Sequence, residues 1–335
     1  MLLTFFQSLF FSLFFLPSAF ITSPQSNVIV KPDELKRWLY FLASDEMRGR
    51  RNGSPEMLKA ANWIEARFKE FGLEPILKNG SYLQEYTFVT RQQTIPERNV
   101  IGIIPGSDPN LKNQYIVISA HFDHIGISKG NLADSINNGA DDNGAGTCTL
   151  LGIAKTIQEA HLRPNRSIIF ALFSGEEAGM RGSRYFAANS PVQLKDIYAD
   201  LNFEMTGHSE FFGKKRYYMT GCNVTNLDDI IGIYNRQSDW RLIDTIPIAN
   251  RLFTASDNIS FSGVTNNNSI STGIPSGTFA TATSPDYLHR PSDQAELIDY
   301  DNMSDLVKYF SDLVIWLSEY KKEIVFTDPS YKRLK

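Results

Sequence analysis

Histidine and carboxylate side chains follow two apolar runs of this chain. His121 and Asp123 come directly after residues 115–120, and the pair Glu176-Glu177 follows residues 167–173. Both runs are typical of buried strands. A third acidic segment, Asp141-Asp142, lies between them among small residues. Open α/β sheets form their sites at the carboxyl ends of strands, so we expect these side chains to meet there as a two-metal hydrolytic site.

The residue types divide into ligands and a base. A hydrolytic zinc site needs histidine and carboxylate ligands, an open position for water and a base that accepts the proton of the water. Asp123 is well placed to hold the second ring nitrogen of His121, as is usual for metal-bound histidines. One acid of the Asp141-Asp142 pair can bridge two ions, and one acid of the Glu176-Glu177 pair can act as the base while its neighbour binds metal.

The other histidines give weaker signals. His124 is near enough to His121 in the chain to line the site, although we interpret it as structural. His161 and His208 have no comparable acidic neighbours, and we interpret both as ordinary histidines.

Strands and helices alternate around these residues. Ser54 and Gly72 are typical residues for the start and the end of an amphipathic helix over residues 55–71. The apolar patterns predict strands over residues 82–89, 99–104, 115–120, 167–173 and 197–203, and further helices over residues 146–160, 177–188 and 302–320. This alternation predicts an α/β fold, a three-layer α/β/α sandwich around a mixed, centrally parallel β-sheet.

The amino-terminal segment and the bulk composition limit the location and the partners. Residues 1–21 are almost wholly apolar and uncharged, which is typical of a signal peptide or an N-terminal anchor. We therefore expect export to the periplasm or the medium, with membrane attachment only if this segment stays uncleaved. The net charge of −4 comes without basic runs, so nucleic acid is not an expected partner. Residues 27–325 are predicted to form a single domain, and nothing in the sequence indicates an oligomeric state.

Five motifs occur in the order found in a known family. They are His121-Phe-Asp123, the segment 139–146 (GADDNGAG), the segment 175–186 (GEEAGMRGSRYF), Asn202-Phe-Glu204-Met and His289-Arg-Pro-Ser-Asp293. The chain resembles the secreted zinc aminopeptidases, two-zinc exopeptidases related to glutamate carboxypeptidase, the transferrin receptor and glutaminyl cyclase. The resemblance runs from about Asp33 to Tyr320 and includes the segment 42–50 (LASDEMRGR).

The resemblance implies a zinc-dependent exopeptidase domain that binds two Zn²⁺ ions and hydrolyses peptides. In this comparison Asp142 matches the bridging ligand and Glu176 matches the general base. His121 and Glu204 match ligands of separate ions. The resemblance also implies that Glu177 shares an ion with His121, that His289 completes the ion held by Glu204, and that Asp123 orients His121.

Three departures from the family pattern are visible. Glu204 stands where most relatives have Asp, which keeps the ligand oxygens but adds a methylene. Relatives often place Tyr directly before the last His, whereas Tyr287 here lies two positions before His289, so Tyr287 is only a possible oxyanion donor. Relatives often have Ser-Asp-His where this chain has Ser256-Asp257-Asn258. Asp257 is the other possible substrate-side acid, or a replacement ligand for Glu204. The protease-associated domain of many relatives is not expected between residues 104 and 115.

Several functions are compatible with this scaffold. An aminopeptidase acting on peptides is favoured. A carboxypeptidase or amidase needs cationic groups to hold a carboxylate, and the sequence does not place Arg181 or Arg290 for that role. A single-zinc glutaminyl cyclase would differ in its metal count. A binding module without catalysis is disfavoured because the ligands and the base are all present.

Overall fold

The computed structural model describes residues 30–91, 93–129, 134–243, 249–263, 271–283 and 286–334. The predicted export segment, residues 1–21, lies outside the described residues. Along the described ranges, no helix is both long enough and apolar enough to cross a bilayer. Cys148 and Cys222 are thiols and are not joined in a disulfide.

A mixed sheet of eight strands forms the centre of the fold. Within the described residues the strands of this sheet and of a smaller two-stranded sheet are β1 (Leu83–Val89), β2 (Thr94–Ile104), β3 (Tyr115–His121), β4 (Ser167–Phe173), β5 (Ile197–Phe203), β6 (Arg216–Met219), β7 (Arg241–Ile243), β8 (Ser271–Gly273), β9 (Ser276–Ala280) and β10 (Tyr331–Arg333). The sheet order is β1-β2-β4-β3-β5-β9-β6-β7, and β8 pairs separately with β10. The four central strands β4, β3, β5 and β9 run parallel to one another, while β2 and β6 run antiparallel to their central neighbours.

Helices cover both faces of this sheet. They are α1 (Pro32–Leu42), α2 (Pro55–Phe71), α3 (Gly146–Glu159), α4 (Arg181–Ala188), α5 (Leu227–Asn235), α6 (Ala249–Leu252), α7 (Ile259–Ser262) and α8 (Tyr300–Glu319). Alternate residues of β3 show the two faces: Ile116 and Ile118 join the core beneath α1, α2, α3 and α8, whereas Val117 joins the core beneath α4 and α7. The predicted three-layer sandwich with a parallel centre is confirmed.

Local sequence signals explain where α2 begins and ends. The Ser54 hydroxyl accepts a hydrogen bond from the Met57 amide and caps α2, and Gly72 ends the helix in the left-handed conformation. Ile64 and Phe68 lie on the buried face of the helix, as their spacing predicts.

One predicted helix begins later than expected. The sequence pattern predicted a helix from Glu177, but α4 begins at Arg181. Gly175, Gly179 and Met180 have positive φ angles, and the amides of Gly179 and Met180 both donate to the carbonyl of Glu176. This tight turn takes the place of the first helical turn. It presents the two glutamates at the end of β4 instead of on a helix surface.

Candidate metal centre

The carboxyl ends of β3, β4 and β5 bring the predicted site residues together. His121 is the last residue of β3, Glu176 and Glu177 lie in the turn after β4, and Glu204 directly follows β5. Asp142 lies in the buried turn that leads into α3, and a cis peptide bond joins it to Asn143. His289 comes from the segment between β9 and α8.

The first group of ligand atoms belongs to His121, Asp142 and Glu204. One nitrogen or oxygen from each residue lies within 4.8 Å of the others, and His121 Nε2 is 3.4 Å from Asp142 Oδ1. Sheet register explains the arrangement, because Ser119 on β3 lies opposite Asn202 on β5. His121 and Glu204 are each two residues further along, so both side chains project from the same face of adjacent strands.

The second group belongs to His124, Asp142, Glu177 and His289. His289 Nε2 is 3.1 Å from Asp142 Oδ2 and 3.1 Å from Glu177 Oε1. His124 Nδ1 is 3.0 Å from Glu177 Oε1 and 3.7 Å from Asp142 Oδ2. Asp142 therefore faces the first group with one carboxylate oxygen and the second group with the other, which is the arrangement expected of a bridging ligand.

This grouping corrects the ligand pairing implied by the resemblance. His121 was paired with Glu177, and Glu204 with His289, but the structure places His121 beside Glu204 and Glu177 beside His289. The reason is the strand order, since β5 is the direct neighbour of β3 on one side and β4 on the other. Glu177, which follows β4, faces His124 and the His289 segment instead. His124, interpreted as structural from the sequence, belongs to a ligand group.

The two groups have the properties of cation sites. His121 Nε2, both ring nitrogens of His124, Glu177 Oε1 and Glu204 Oε2 are buried, and none has a hydrogen-bond partner among the described residues. An unsatisfied buried polar atom costs about 1–3 kcal/mol. A bound cation would remove this cost at several of these atoms together. Mixed imidazole and carboxylate donors suit zinc, so the residues present fit zinc ions.

Asp123 organises the turn that carries the two glutamates. Its carboxylate accepts hydrogen bonds from the backbone amides of Glu176 and Glu177 at 3.1 and 3.2 Å and from Asn52 Nδ2 at 2.7 Å. His121 Nδ1 lies 3.3 Å from the Asp123 carbonyl and 3.7 Å from its carboxylate. The sequence predicted the contact with His121 but not the link to the Glu176-Glu177 turn.

Arg50 and Asp293 hold the loops that carry ligands, although neither is in a ligand group. The buried guanidinium of Arg50 donates to the carbonyl groups of Leu42, Phe122, Asn138 and Gly139. It thereby joins the segment after β3 to the turn before Asp142. Asp293 accepts the amides of Asp141 and Asp142 at 2.8 and 3.0 Å. The quoted motifs contained both residues, but sequence alone gave them no role.

The neighbouring glutamates have opposite electrostatic environments. Burial raises the pKa of Glu176 well above its ordinary value, and the nearby Glu204 adds to the rise, while His121 opposes it. Burial would also raise the pKa of Glu177, but the adjacent imidazoles of His124 and His289 lower it below the ordinary value of a glutamate. Glu176 is therefore the better proton acceptor, and Glu177 the better anionic ligand.

Tyr287 and Asp257, the two possible substrate-side residues, both make hydrogen bonds within the chain. The Tyr287 hydroxyl donates to Asp141 Oδ2 at 2.8 Å, and its ring stacks on His208 with centroids 4.8 Å apart. This hydrogen bond anchors the segment that carries His289, and the oxyanion role of Tyr287 stays a prediction. Asp257 is buried and accepts a hydrogen bond from Ser183, and it belongs to neither ligand group.

A cavity of about 170 Å³ opens beside both groups. Glu176, Glu204 and His289 are among the residues that line it. The apolar and aromatic residues of the lining are Met205, Tyr218, Leu252, Ala255, Ala280 and Leu288.

The chain is similar in sequence to known aminopeptidases. Leucine aminopeptidase 1 of Trichophyton equinum is 25% identical over 261 residues, which are 75% of this chain and 65% of that protein. The chain spans between 22% and 65% of the lengths of the first curated relatives that it matches.

Solved structures share the fold at low identity. BSAP, a zinc aminopeptidase from Bacillus subtilis, has a TM-score of 0.63 and 14% identity, and the match covers 87% of this chain and 97% of that one. The glutaminyl cyclase of Porphyromonas gingivalis has a TM-score of 0.59 and 18% identity, with 87% and 99% coverage. The sequence profile of peptidase family M28 matches residues 99–314, well over half of the 335 residues. The chain therefore belongs to peptidase family M28.

Proposed function

We propose that this protein is an aminopeptidase that binds two zinc ions and hydrolyses the N-terminal peptide bond of peptides. One observation carries the proposal: two groups of possible ligand atoms share Asp142, and Glu176 lines the same cavity as members of both groups. Relatives named leucine aminopeptidase 1 support the same activity. Asp142, His121, Glu204, Glu177 and His289 would hold the ions.

Glu176 would move the proton in this reaction. Zinc ions, when bound, supply Lewis acidity that makes water a nucleophile at neutral pH and polarises a carbonyl oxygen. The raised pKa of Glu176 suits a group that first accepts the proton of the attacking water and then donates it to the leaving amine. Asp123 fixes this carboxylate indirectly, because it holds the backbone amide of Glu176.

The cavity supports an apolar N-terminal side chain in the substrate. Its lining includes Met205, Leu252 and other apolar groups. Burial of a leucine or phenylalanine side chain against these groups is favourable by about 1.5–3 kcal/mol. The carboxylates of Glu176 and Glu204, which also line the cavity, suit the positively charged α-amine of a free N-terminus.

Profiling with fluorogenic amides tests the proposal. Purified protein with zinc should hydrolyse leucyl and phenylalanyl amides with free amines, should act weakly on glutamyl amides, and should not act on N-acetylated leucyl amides. Hydrolysis confined to blocked substrates would favour the carboxypeptidase or amidase alternative. Release of pyroglutamate from N-terminal glutamine, with one zinc per chain, would instead favour the cyclase.

We also infer that residues 27–325 work as one catalytic unit and that residues 1–21 direct export to the periplasm or the medium. The apolar, uncharged composition of residues 1–21 supports the second inference. N-terminal sequencing of protein recovered from an exporting host would test it. A mature chain that retained Met1 in the cytoplasm would contradict it.

A further inference from the structure

His124 has an environment that its neighbours do not explain as structural. Its side chain is fully buried, and both ring nitrogens lack a hydrogen-bond partner among the described residues. Its Nδ1 lies 3.0 Å from Glu177 Oε1, and neither atom has a well-aligned hydrogen bond. A buried imidazole kept only for packing would be expected to donate to a neighbour.

The distances within this group match those between ligands of one tetrahedral ion. Zn–N and Zn–O bonds of about 2.0–2.1 Å place tetrahedral ligand atoms about 3.3–3.4 Å apart. The measured separations are 3.0 Å for His124 to Glu177, 3.1 Å for His289 to each carboxylate, and 3.7 Å for His124 to Asp142. They scatter around the tetrahedral value, so His124 Nδ1 lies at a ligand position.

The fold holds this ring in place. Gly139 has φ 61°, and a Cβ atom there would lie 2.5 Å from His124 Cγ, so the backbone packs directly against the imidazole. The His124 amide donates to the Arg50 carbonyl at 3.3 Å. The imidazole therefore has little freedom to turn away from Glu177 and Asp142.

We infer that His124 is a metal ligand and that the two ions of the proposed centre are held unequally. This inference rests on the proposed metal-dependent function. The group of His124, Asp142, Glu177 and His289 has four protein ligands, the number typical of closed, structural zinc sites. The group of His121, Asp142 and Glu204 has three, the number that leaves a position open for water or substrate.

Metal titration of the full chain tests the inference. Zinc binding to wild type, His124→Asn and His121→Asn is measured in competition with a chromophoric chelator, which gives two dissociation constants. The amide nitrogen of Asn stands close to the position of ring Nδ1 and is able to donate to Glu177, but a neutral amide is a poor zinc ligand. His121→Asn is the matched comparison, because His121 is equally buried and belongs only to the other group.

His124→Asn should weaken the tighter ion by at least about 100-fold, beyond the 10–100-fold loss that outer partners of a ligand cause. His121→Asn should weaken the other ion and change the tighter one far less than His124→Asn does. A tighter constant unchanged in His124→Asn would reduce His124 to a hydrogen-bond donor and overturn the inference. Wild type that binds no metal would instead overturn the proposed function.

A spectroscopic measurement on wild type does not depend on the folding of any variant. With one equivalent of Co²⁺, the proton spectrum should show strongly hyperfine-shifted ring protons from two histidines, His124 and His289. Signals from only one histidine would contradict the four-ligand group, whatever the activity of the cobalt protein.

Discussion

Buried polar and charged groups at the two ends of the parallel strands differ in how far their hydrogen bonds are satisfied. At the carboxyl ends, His121, Glu177 and Glu204 have buried atoms without hydrogen-bond partners among the described residues. At the amino ends, Arg166 donates to Gln114 and to the carbonyl groups of Ser318 and Tyr320. The difference separates two uses of buried charge, because a group kept for stability is satisfied within the chain, whereas a group kept for a ligand is left open.

Arg333 extends the satisfied network at the amino ends. Its guanidinium donates to the carbonyl groups of Ile197, Tyr198 and Ile324, each at 3.0 Å. The guanidinium of Arg166 also lies 3.9 Å from the centroid of the Tyr198 ring. Changes at this end should therefore alter folding stability, and changes at the other end should alter metal binding and catalysis.

The largest effect is expected at Glu176. Glu176→Gln keeps the shape of the side chain but removes the proton acceptor, so kcat should fall by about 10²–10⁴-fold while KM changes little. Metal content, measured by elemental analysis, should stay at the wild-type value. Glu177→Gln provides the contrast, because a neutral amide is a poorer ligand, and this variant should lose metal. Reversed metal contents would show that the two glutamates exchange roles.

A selective loss of metal is expected at Glu204. Glu204→Ala removes one of three ligands and should weaken one ion by at least about 10–100-fold, whereas Glu204→Asp retains the carboxylate and should keep both. The His124 group should retain its ion in both variants. Equilibrium dialysis with elemental analysis measures the occupancies. Two tightly held ions in Glu204→Ala would remove Glu204 from the ligand set.

At the opposite end of the strands, Arg166→Met should change stability without changing catalysis. The carbonyl groups of Ser318 and Tyr320 lose a donor, which should lower the free energy of unfolding by about 1–3 kcal/mol. Denaturant unfolding measures the change, and kcat should stay within about twofold. Arg163→Met is the control, because Arg163 lies three residues earlier and is exposed. A large loss of kcat in folded Arg166→Met would break the division between the two ends.

The smallest effect is expected at Asp200, inside β5 between the two ends. Burial raises its pKa well above the ordinary value, and Asp257 adds to the rise, although a hydrogen bond from Ser119 opposes it. The native state therefore keeps a proton that the unfolded state releases above about pH 4. As pH rises from there towards the native pKa, wild-type stability should fall by up to about 1.4 kcal/mol per pH unit from this group.

Asp200→Asn removes that titration, so the variant should gain stability relative to wild type as pH rises above about 4. Urea unfolding across this range, with zinc removed from both proteins, measures the difference. The exposed Asp301→Asn serves as control. A difference between Asp200→Asn and wild type that stays constant with pH would show that Asp200 is ionised in the folded protein.

The sequence predicted much of the fold but not the grouping of the ligands. The apolar runs of β3, β4 and β5 and the capping residues of α2 are local signals, and they fixed the strand ends where the site lies. Short β6 and β9 escaped prediction because they are brief and polar at several buried positions, such as Thr278. The pairing of His121 with Glu204 depends on strand order and register, which no local pattern contains.

His124 was interpreted as structural for a related reason. Nothing beside it in the chain distinguishes it from a core histidine. Its contacts with Gly139 and Glu177, which place it in a group of possible ligands, come from other parts of the chain. The motif resemblance identified the five other metal-binding candidates, but it gave the wrong partners to two pairs of them.

The register between β3 and β5 limits how this chain can change in evolution. Asp200, Asn202 and Glu204 occupy alternate positions, while Leu201 and Phe203 point into the core on the opposite face. Insertion or deletion of one residue in β5 would exchange the two sets and send the Glu204 carboxylate into the apolar layer. Length variation among descendants of this protein should therefore fall in the connecting loops, while β5 tolerates substitution but not a change of length.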